Sequence, residues 1–327
     1  MSYCHLRAIN ATTTPSSTQR RPRRWLAALA LAAASLLPAL PALAAVPAAE
    51  LQTLTDLYNS TNGAGWTTHT NWLSGDPCDN HWSSITCDAG GAHVTEVGLN
   101  GNNLIGTLPS LSGLTNLQYF YVDDNQLTGA IPSLSGLTSL QDFYVNNNQL
   151  SGAIPSLSGL TNLRNVDASD NQLTGAIPGL SGLTNLQGFY VNNNQLSGTL
   201  PSLSGSTNLR DFHVNNNQLT GAIPSLSGLV HLQRFYVNNN QLTGTPPAAP
   251  ASLLAVNSAL CPNYLSTPSP TDAAWDTATG STPWSTGCTA APSATGVAAV
   301  PTLGEWALLG LGLLLAGLGA ARVRGRP

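Results

Sequence analysis

Lysine is absent from this chain of 327 residues, and charged residues make up only 8% of it. All the basic side chains are therefore arginines, and eight of the eleven lie outside residues 46–300. Within residues 46–300, three arginines stand against fourteen acidic residues, which gives a formal net charge of −11 with histidine neutral. Such a body repels nucleic-acid phosphates, so we expect no nucleic-acid partner.

Long apolar runs occur only near the two ends of the chain. The basic stretch at 20–24 leads into an apolar run that finishes on small residues, which is typical of a secretory signal cut after Ala44 or Ala45. A retained membrane anchor is the alternative there. The second run, at 306–321, has 16 uncharged residues, fewer than the ~20 of a comfortable bilayer span, and arginines follow it. These features predict an exported body and contact with the membrane through the C-terminal segment, either permanently or only before processing.

Cysteine is scarce, with five in the chain, and Cys4 lies in the segment expected to be removed. The other four are Cys78, Cys87, Cys261 and Cys288, which allow three pairings. Short separation favours Cys78 with Cys87 and Cys261 with Cys288, although sequence leaves the pairing open. A zinc site is the alternative, but the spacings are irregular and no CxxC occurs.

A period of 23 residues organises the middle of the chain. LSGLTNLQYFYVDDNQLTGAIPS spans 111–133, and its first leucine recurs at 134, 157, 180, 203 and 226. A degenerate copy at 94–109 makes seven units. Within a unit, alternation predicts a short strand with Phe120 and Val122 pointing inward. No unit can bury its apolar face alone, so the units must stack into one core. We expect a structural ladder from the asparagines that follow the strands: Asn125, Asn148, Asn171, Asn194, Asn217 and Asn240.

The repeated phrases resemble a known repeat family. The pattern L-x-x-L-x-L-x-x-N-x-L, with Phe or Val at some leucine positions, is that of a leucine-rich repeat. The phrase Leu-Ser/Thr-Gly-x-Ile/Leu-Pro resembles the plant-type subclass found in receptor ectodomains and secreted inhibitors, although these units are one residue shorter. NWLSGDPCDNHWSSITC resembles the plant-type N-terminal cap, with Ser84 in place of the common glycine.

A second resemblance covers about thirty residues at the end of the chain. Val300-Pro301-Thr302-Leu303, then Gly-Glu-Trp, a short apolar stretch and a basic terminus resemble the bacterial IPTL-CTERM sorting signal, with Val in place of the usual Ile. The resemblance implies a protein that is exported, processed, and retained at or released from the cell surface. It places the protein in the envelope or outside a Gram-negative bacterium.

The predicted fold class is an α/β-type repeat solenoid with a parallel β-sheet on the concave face, an irregular or 3₁₀ convex side and disulfide-stapled caps. The boundaries we expect are a signal peptide at 1–45, an N-terminal cap at 46–93, seven repeats at 94–249, a C-terminal cap at 250–290, a linker at 291–299 and the sorting or membrane segment at 300–327. In the C-terminal cap, Trp275 and Trp284 are expected to shield the core.

Outward strand positions predict a binding surface across the concave sheet. Tyrosine rings supply rigid contact area and asparagine amides supply adaptable hydrogen bonds. The candidate residues are Tyr121, Tyr144, Asp167, Tyr190, His213 and Tyr236, with Asn146, Asn192, Asn215 and Asn238 beside them. We expect a protein or polysaccharide ligand. A structural envelope protein without a specific ligand is the alternative, because duplication alone would also repeat these side chains. Ice or mineral binding is a weaker third hypothesis, which the uneven outward residues disfavour.

The sequence nominates no catalytic residue, no metal ligand and no cofactor. Ser169 lies two predicted strands from His213, about 10 Å by strand spacing, which is beyond hydrogen-bond reach. One histidine among scattered acids is not a transition-metal site, and no Asp-rich calcium loop occurs. We therefore expect a protein that is not an enzyme.

Overall fold

The computed structural model describes residues 45–266 and 272–289. In this part of the chain, an α-helix (Ala48–Ser60) and a 3₁₀ turn (Gly63–Gly65) precede the strands, and a second α-helix (Asp272–Thr279) follows them. The expected signal peptide up to residue 44, the linker and the C-terminal sorting segment lie outside the described residues. Neither described helix is long and apolar enough to cross a membrane.

The predicted concave sheet has nine strands, one from each repeat and one from each cap. Each repeat forms one turn of the solenoid, which we call a coil. The first pair of strands in the sheet is antiparallel and all the later pairs are parallel. Seven of the strands come from the seven predicted repeats, so the period read from the sequence is confirmed. In order, the strands are Ile85–Cys87, Val94–Gly98, Tyr119–Tyr121, Asp142–Tyr144, Asn165–Asp167, Gly188–Tyr190, Asp211–His213, Arg234–Tyr236 and Ser258–Ala259.

Each repeat strand places its central apolar residue in the core. Phe120 and Val122 are 0% exposed, while Tyr119 and Tyr121 are half-buried on the outer face. Phenylalanines of neighbouring coils stack on each other; for example, the ring centroids of Phe120 and Phe143 are 5.6 Å apart. Stacking turns seven small apolar faces into one continuous core, which is why single coils of this kind do not fold alone.

The predicted asparagine ladder is present where each strand ends. The Nδ2 of Asn148 donates to the carbonyl oxygens of Val122 and Val145 at 3.0 and 3.1 Å, and its Oδ1 accepts from the N–H of Leu127 at 2.9 Å. Asn102 and Asn263, which the sequence did not single out, extend the ladder into the N-terminal and C-terminal caps. The ladder therefore satisfies the backbone inside every bend and joins both caps to the repeats.

The residue before each of the six ladder asparagines predicted from the sequence adopts a left-handed backbone conformation. Asn147 and Asn193, for example, have φ of 52° and 56°. Asparagine and aspartate tolerate this region better than other residues with a side chain. The repeated Asn-Asn-Asn therefore combines three roles: an outward side chain, a left-handed turn and a ladder amide.

A second, eight-stranded parallel sheet runs along the solenoid and was not expected from the sequence. It consists of the segments after the ladder, for which the sequence predicted no strand. Its strands are Ile105–Thr107, Gln126–Ala130, Gln149–Ala153, Gln172–Gly175, Gln195–Thr199, Gln218–Ala222, Gln241–Gly244 and Tyr264–Leu265. The rest of the convex side consists of turns closed by bonds such as Leu114 N–H to Leu111 O, which agrees with the predicted irregular or 3₁₀ character.

Both caps carry the expected disulfide. Cys78 is bonded to Cys87, and Cys261 is bonded to Cys288. In the N-terminal cap, Leu54 and Leu57 of the helix are fully buried. In the C-terminal cap, Trp275 and Trp284 are 0% and 2% exposed.

Ser84 occupies a position where the plant-type cap usually has glycine. Its backbone has φ of 66°, in the left-handed region where glycine is the least strained residue. Its carbonyl oxygen accepts from the N–H of Gly98 at 2.8 Å, which ties the cap to the first repeat. The local loop is therefore built with serine in a conformation that favours glycine.

Candidate functional site

The outward residues form three rows whose order matches the sequence. Strand register places Tyr121 beside Tyr144, then Asp167, Tyr190, His213 and Tyr236. Asn146, Asn192, Asn215 and Asn238 lie two positions later in their coils and are all half-buried. A third row comprises Glu96, Tyr119, Asp142, Asn165, Gly188, Asp211 and Arg234. We call these three sets, with Asp123 and Ser169 of the asparagine row, the tyrosine strip.

Tyrosines cluster at the N-terminal end of the tyrosine strip. The rings of Tyr119 and Tyr121 stack with centroids 6.2 Å apart, and the rings of Tyr121 and Tyr144 are 5.1 Å apart. The hydroxyl of Tyr121 donates to Oδ2 of Asp142 at 3.2 Å, and Nδ2 of Asn165 donates to Oδ1 at 2.8 Å. The Asp142 carboxylate therefore holds the Tyr121 ring in place with one oxygen and the Asn165 amide with the other.

Asp167 interrupts the tyrosine row in the middle of the sheet. Its Oδ1 accepts from the hydroxyl of Ser169 at 2.6 Å and from the Ser169 N–H at 3.0 Å. Burial raises the pKa of Asp167, and these two hydrogen bonds oppose that rise. Burial likewise raises the pKa of Asp123 on the same face. Both carboxylates are thus partly shielded from water.

His213 lies between two tyrosine rings at the C-terminal end of the tyrosine strip. Its ring centroid is 4.9 Å from that of Tyr190 and 4.7 Å from that of Tyr236, and both contacts are edge-to-face. Burial lowers the pKa of His213 to about 4, against the opposing charge of Asp211, so the ring is neutral at pH 7. Its Nε2 is buried and has no hydrogen-bond partner, and the same is true of Oδ1 of Asn238.

Asp211 and Arg234 form an ion pair that was not predicted. Arg234 donates to Asp211 through Nε and through Nη2, the latter at 2.8 Å. The hydroxyl of Tyr190 donates to Oδ2 of the same carboxylate at 2.9 Å. The pair could have been found from the sequence, because the two residues are one 23-residue period apart and therefore face each other across adjacent strands.

Ser169 is the one serine considered from the sequence. Its hydroxyl is buried and donates to Asp167 of the same coil. Within residues 45–266 and 272–289, no group of three or more His, Cys, Asp or Glu is placed to hold a metal ion. What the strip offers chemically is contact area, hydrogen bonding and charge.

Comparison with known proteins places the repeats in a family. The family model "Leucine Rich repeats (2 copies)" matches residues 115–159, 161–205 and 207–249, and the IPTL-CTERM motif matches residues 298–325. No curated protein matches the chain significantly.

Two solved structures show the same fold. One is the leucine-rich repeat ectodomain of the plant membrane receptor kinase GASSHO1/SCHENGEN3 from Arabidopsis thaliana, in complex with CASPARIAN STRIP INTEGRITY FACTOR 2. It is 28% identical over 66% of this chain and 30% of that chain, with a TM-score of 0.54. The other is PEPR1–AtPEP1, 23% identical over 68% of this chain and 36% of that chain, with a TM-score of 0.50. The chain spans about a third of the length of these two structures.

The repeat period, the asparagine ladder, the parallel sheet and the two matched motifs agree with one another. Residues 115–249 of this chain are leucine-rich repeats, and the chain carries an IPTL-CTERM motif at residues 298–325.

Proposed function

We propose that this chain is an exported protein that binds a protein partner on the tyrosine strip. The observation that supports the proposal is the tyrosine strip itself, which crosses seven strands in register and presents half-buried tyrosine rings and asparagine amides. At about 4.8 Å per strand, the strip is about 30 Å long, which matches an extended segment or a protein edge.

The strip has the side chains that protein recognition uses. Ring contacts hold the tyrosines in place before any ligand arrives, and Asp142 and Asp211 each fix one tyrosine hydroxyl. Preorganised rings bind at a low cost in conformational entropy. The ectodomain of GASSHO1/SCHENGEN3, a similar fold at 28% identity, was solved in complex with CASPARIAN STRIP INTEGRITY FACTOR 2, and this supports a protein or peptide partner over a polysaccharide.

Export rests on three features of the sequence. An arginine-rich stretch precedes an apolar run near residue 25, the IPTL-CTERM motif matches residues 298–325, and both caps carry a disulfide. Disulfides persist in oxidising compartments and are rare in the cytosol. These features together support a location at the cell surface or, after release, outside the cell.

The test is capture of partners on a protein and glycan array by the purified protein. A triple variant, Tyr121→Ala/Tyr144→Ala/Tyr190→Ala, should lose the protein ligand that the wild type binds, because it removes three rings from the strip.

A second triple variant, Gln149→Ala/Gln172→Ala/Gln195→Ala, is the matched control. It truncates three exposed side chains on the eight-stranded sheet and should bind like wild type. Circular dichroism would show that both variants remain folded. Binding that survives the tyrosine variant, or no protein captured by the wild type, would refute the proposal. Capture of glycans alone would favour a polysaccharide ligand instead.

A further inference from the structure

Carboxylates are concentrated toward the N-terminal end of the tyrosine strip. Glu96, Asp123, Asp142 and Asp167 come from four adjacent coils, and at ~4.8 Å per strand they span about 15 Å. We call these four carboxylates, with the rings of Tyr119, Tyr121 and Tyr144, the acidic half of the strip. Among the described residues, no arginine lies within ion-pair distance of any of the four.

Two equivalent aspartates show how the two ends of the strip differ. Asp142 and Asp211 occupy the same repeat position, and each accepts a hydrogen bond from a tyrosine hydroxyl. The residue one period after Asp211 is Arg234, which neutralises it. The residue one period after Asp142 is Asn165, whose amide donates a hydrogen bond but carries no charge. The negative charge of Asp142 is therefore not cancelled by its neighbours.

The rings of the acidic half add a second attraction for positive charge. Tyr119, Tyr121 and Tyr144 are half-buried and in contact with each other, so they form one aromatic surface beside the carboxylates. A lysine or arginine side chain can lie on a tyrosine face while its charge reaches a carboxylate. Asp123 and Asp167 are half-buried, which raises the pKa of both carboxyls, and a cationic partner would offset the cost of their partial desolvation.

We infer that the protein partner presents lysine or arginine side chains to the acidic half. This inference rests on the proposed function and specifies the chemistry of the partner. The chain itself cannot supply such a segment from its body, since residues 46–300 contain no lysine and only three arginines. Arg234 is paired with Asp211, and Arg164 and Arg210 lie one residue before their strands. The body of a second copy therefore does not fit, and the partner that we infer is a different protein with a basic surface or segment.

The experiment uses two fluorescent peptides of identical sequence, four Lys-Gly-Ser units, one with free lysines and one with every lysine acetylated. Acetylation removes the charge and keeps the length. Fluorescence anisotropy should show that wild-type protein binds the lysine peptide at least tenfold more tightly than the acetylated peptide.

Two double variants carry the same change in net charge. Asp123→Asn/Asp142→Asn removes two of the four carboxylate charges of the acidic half and should weaken binding of the lysine peptide at least tenfold. Asp56→Asn/Asp79→Asn neutralises two exposed acids in the N-terminal cap, outside the strip, and should change binding less than twofold.

An equal loss in both double variants would overturn the inference, because binding would then follow net charge and not position. Equal affinity for the two peptides, or no binding of the lysine peptide, would overturn it as well. If the array captures a protein that depends on the strip tyrosines but not on Asp123 and Asp142, the inference fails while the proposed function stands.

Discussion

The ladder asparagine Asn148 provides the sharpest test of how the fold is held together. Its amide donates to the carbonyl oxygens of Val122, Val145 and Asn146, and its Oδ1 accepts from the Leu127 N–H. Replacing Asn148 with alanine removes all of these bonds, and alanine cannot restore any of them. The Leu127 N–H then loses its partner, while the three carbonyl oxygens each keep one other hydrogen bond, from Asn125, from Asn171 or from the Asp124 N–H.

The expected loss follows from the number of bonds. Two amide protons and one acceptor oxygen are equivalent to about three hydrogen bonds, each worth about 1 kcal/mol net and more where a buried group stays unpaired. We expect Asn148→Ala to lower the free energy of unfolding by about 3 kcal/mol. In a protein of this size that corresponds to a Tm lower by about 6–12 °C.

Asn146, two residues earlier, is the matched control. It is the same residue type in the same Asn-Asn-Asn, but its side chain points out of the bend and is half-buried on the strip. Asn146→Ala should change the free energy of unfolding by less than about 0.5 kcal/mol. Urea unfolding followed by circular dichroism measures both variants. Equal losses for the two, or a loss below about 1 kcal/mol for Asn148→Ala, would refute a ladder that holds the coils together.

Two further predictions concern the caps and the pH response. The disulfide Cys261–Cys288 spans 27 residues of the chain, and Cys78–Cys87 spans 9. In the chain-entropy model, replacing both cysteines of a disulfide with serine lowers the free energy of unfolding by about 3.5 kcal/mol for Cys261–Cys288 and by about 2.5 kcal/mol for Cys78–Cys87. Urea unfolding measures both losses, and a larger loss for Cys78–Cys87 would contradict the model. Burial in the folded protein lowers the pKa of His213 to about 4, from an ordinary value of 6.5. As pH falls, this histidine is therefore protonated in the unfolded chain at a higher pH than in the folded protein, and stability is lost between about pH 6.5 and pH 4. The Tm of the wild type should therefore fall more over that range than the Tm of His213→Phe, and parallel curves would show that this histidine does not titrate as proposed.

Much of the fold could be predicted because two periods are visible in the same residues: the 23-residue repeat of the coils and the two-residue alternation of a strand. A unit of 23 residues places Phe120 above Phe143, and alternation within each strand then decides which side chains face out. The second sheet escaped prediction for a physical reason. Its strands, such as Gln126–Ala130, contain glycine and few β-branched residues, so their pairing depends on the neighbouring coil more than on their own propensity.

The candidate site could be predicted in position but not in detail. Register gave the order of the row from Tyr121 to Tyr236. Side-chain contacts such as Tyr121 to Asp142, or the burial of His213 between two rings, depend on rotamers that a repeat pattern does not specify. The difference between the two ends of the strip depends on one substitution between repeats, Arg234 where another coil has Asn165, and the 23-residue spacing from Asp211 to Arg234 is the signal from which this ion pair could have been predicted.

The most direct test of the central claim is a tyrosine-nitration footprint of the protein, read by mass spectrometry with and without a partner captured on the array. The strip tyrosines Tyr121, Tyr144 and Tyr190 should be protected when the partner is bound, while Tyr58 and Tyr264, which lie in the caps, should react equally in both states. Protection of the cap tyrosines with no change along the strip would contradict the claim that this sheet is the binding surface.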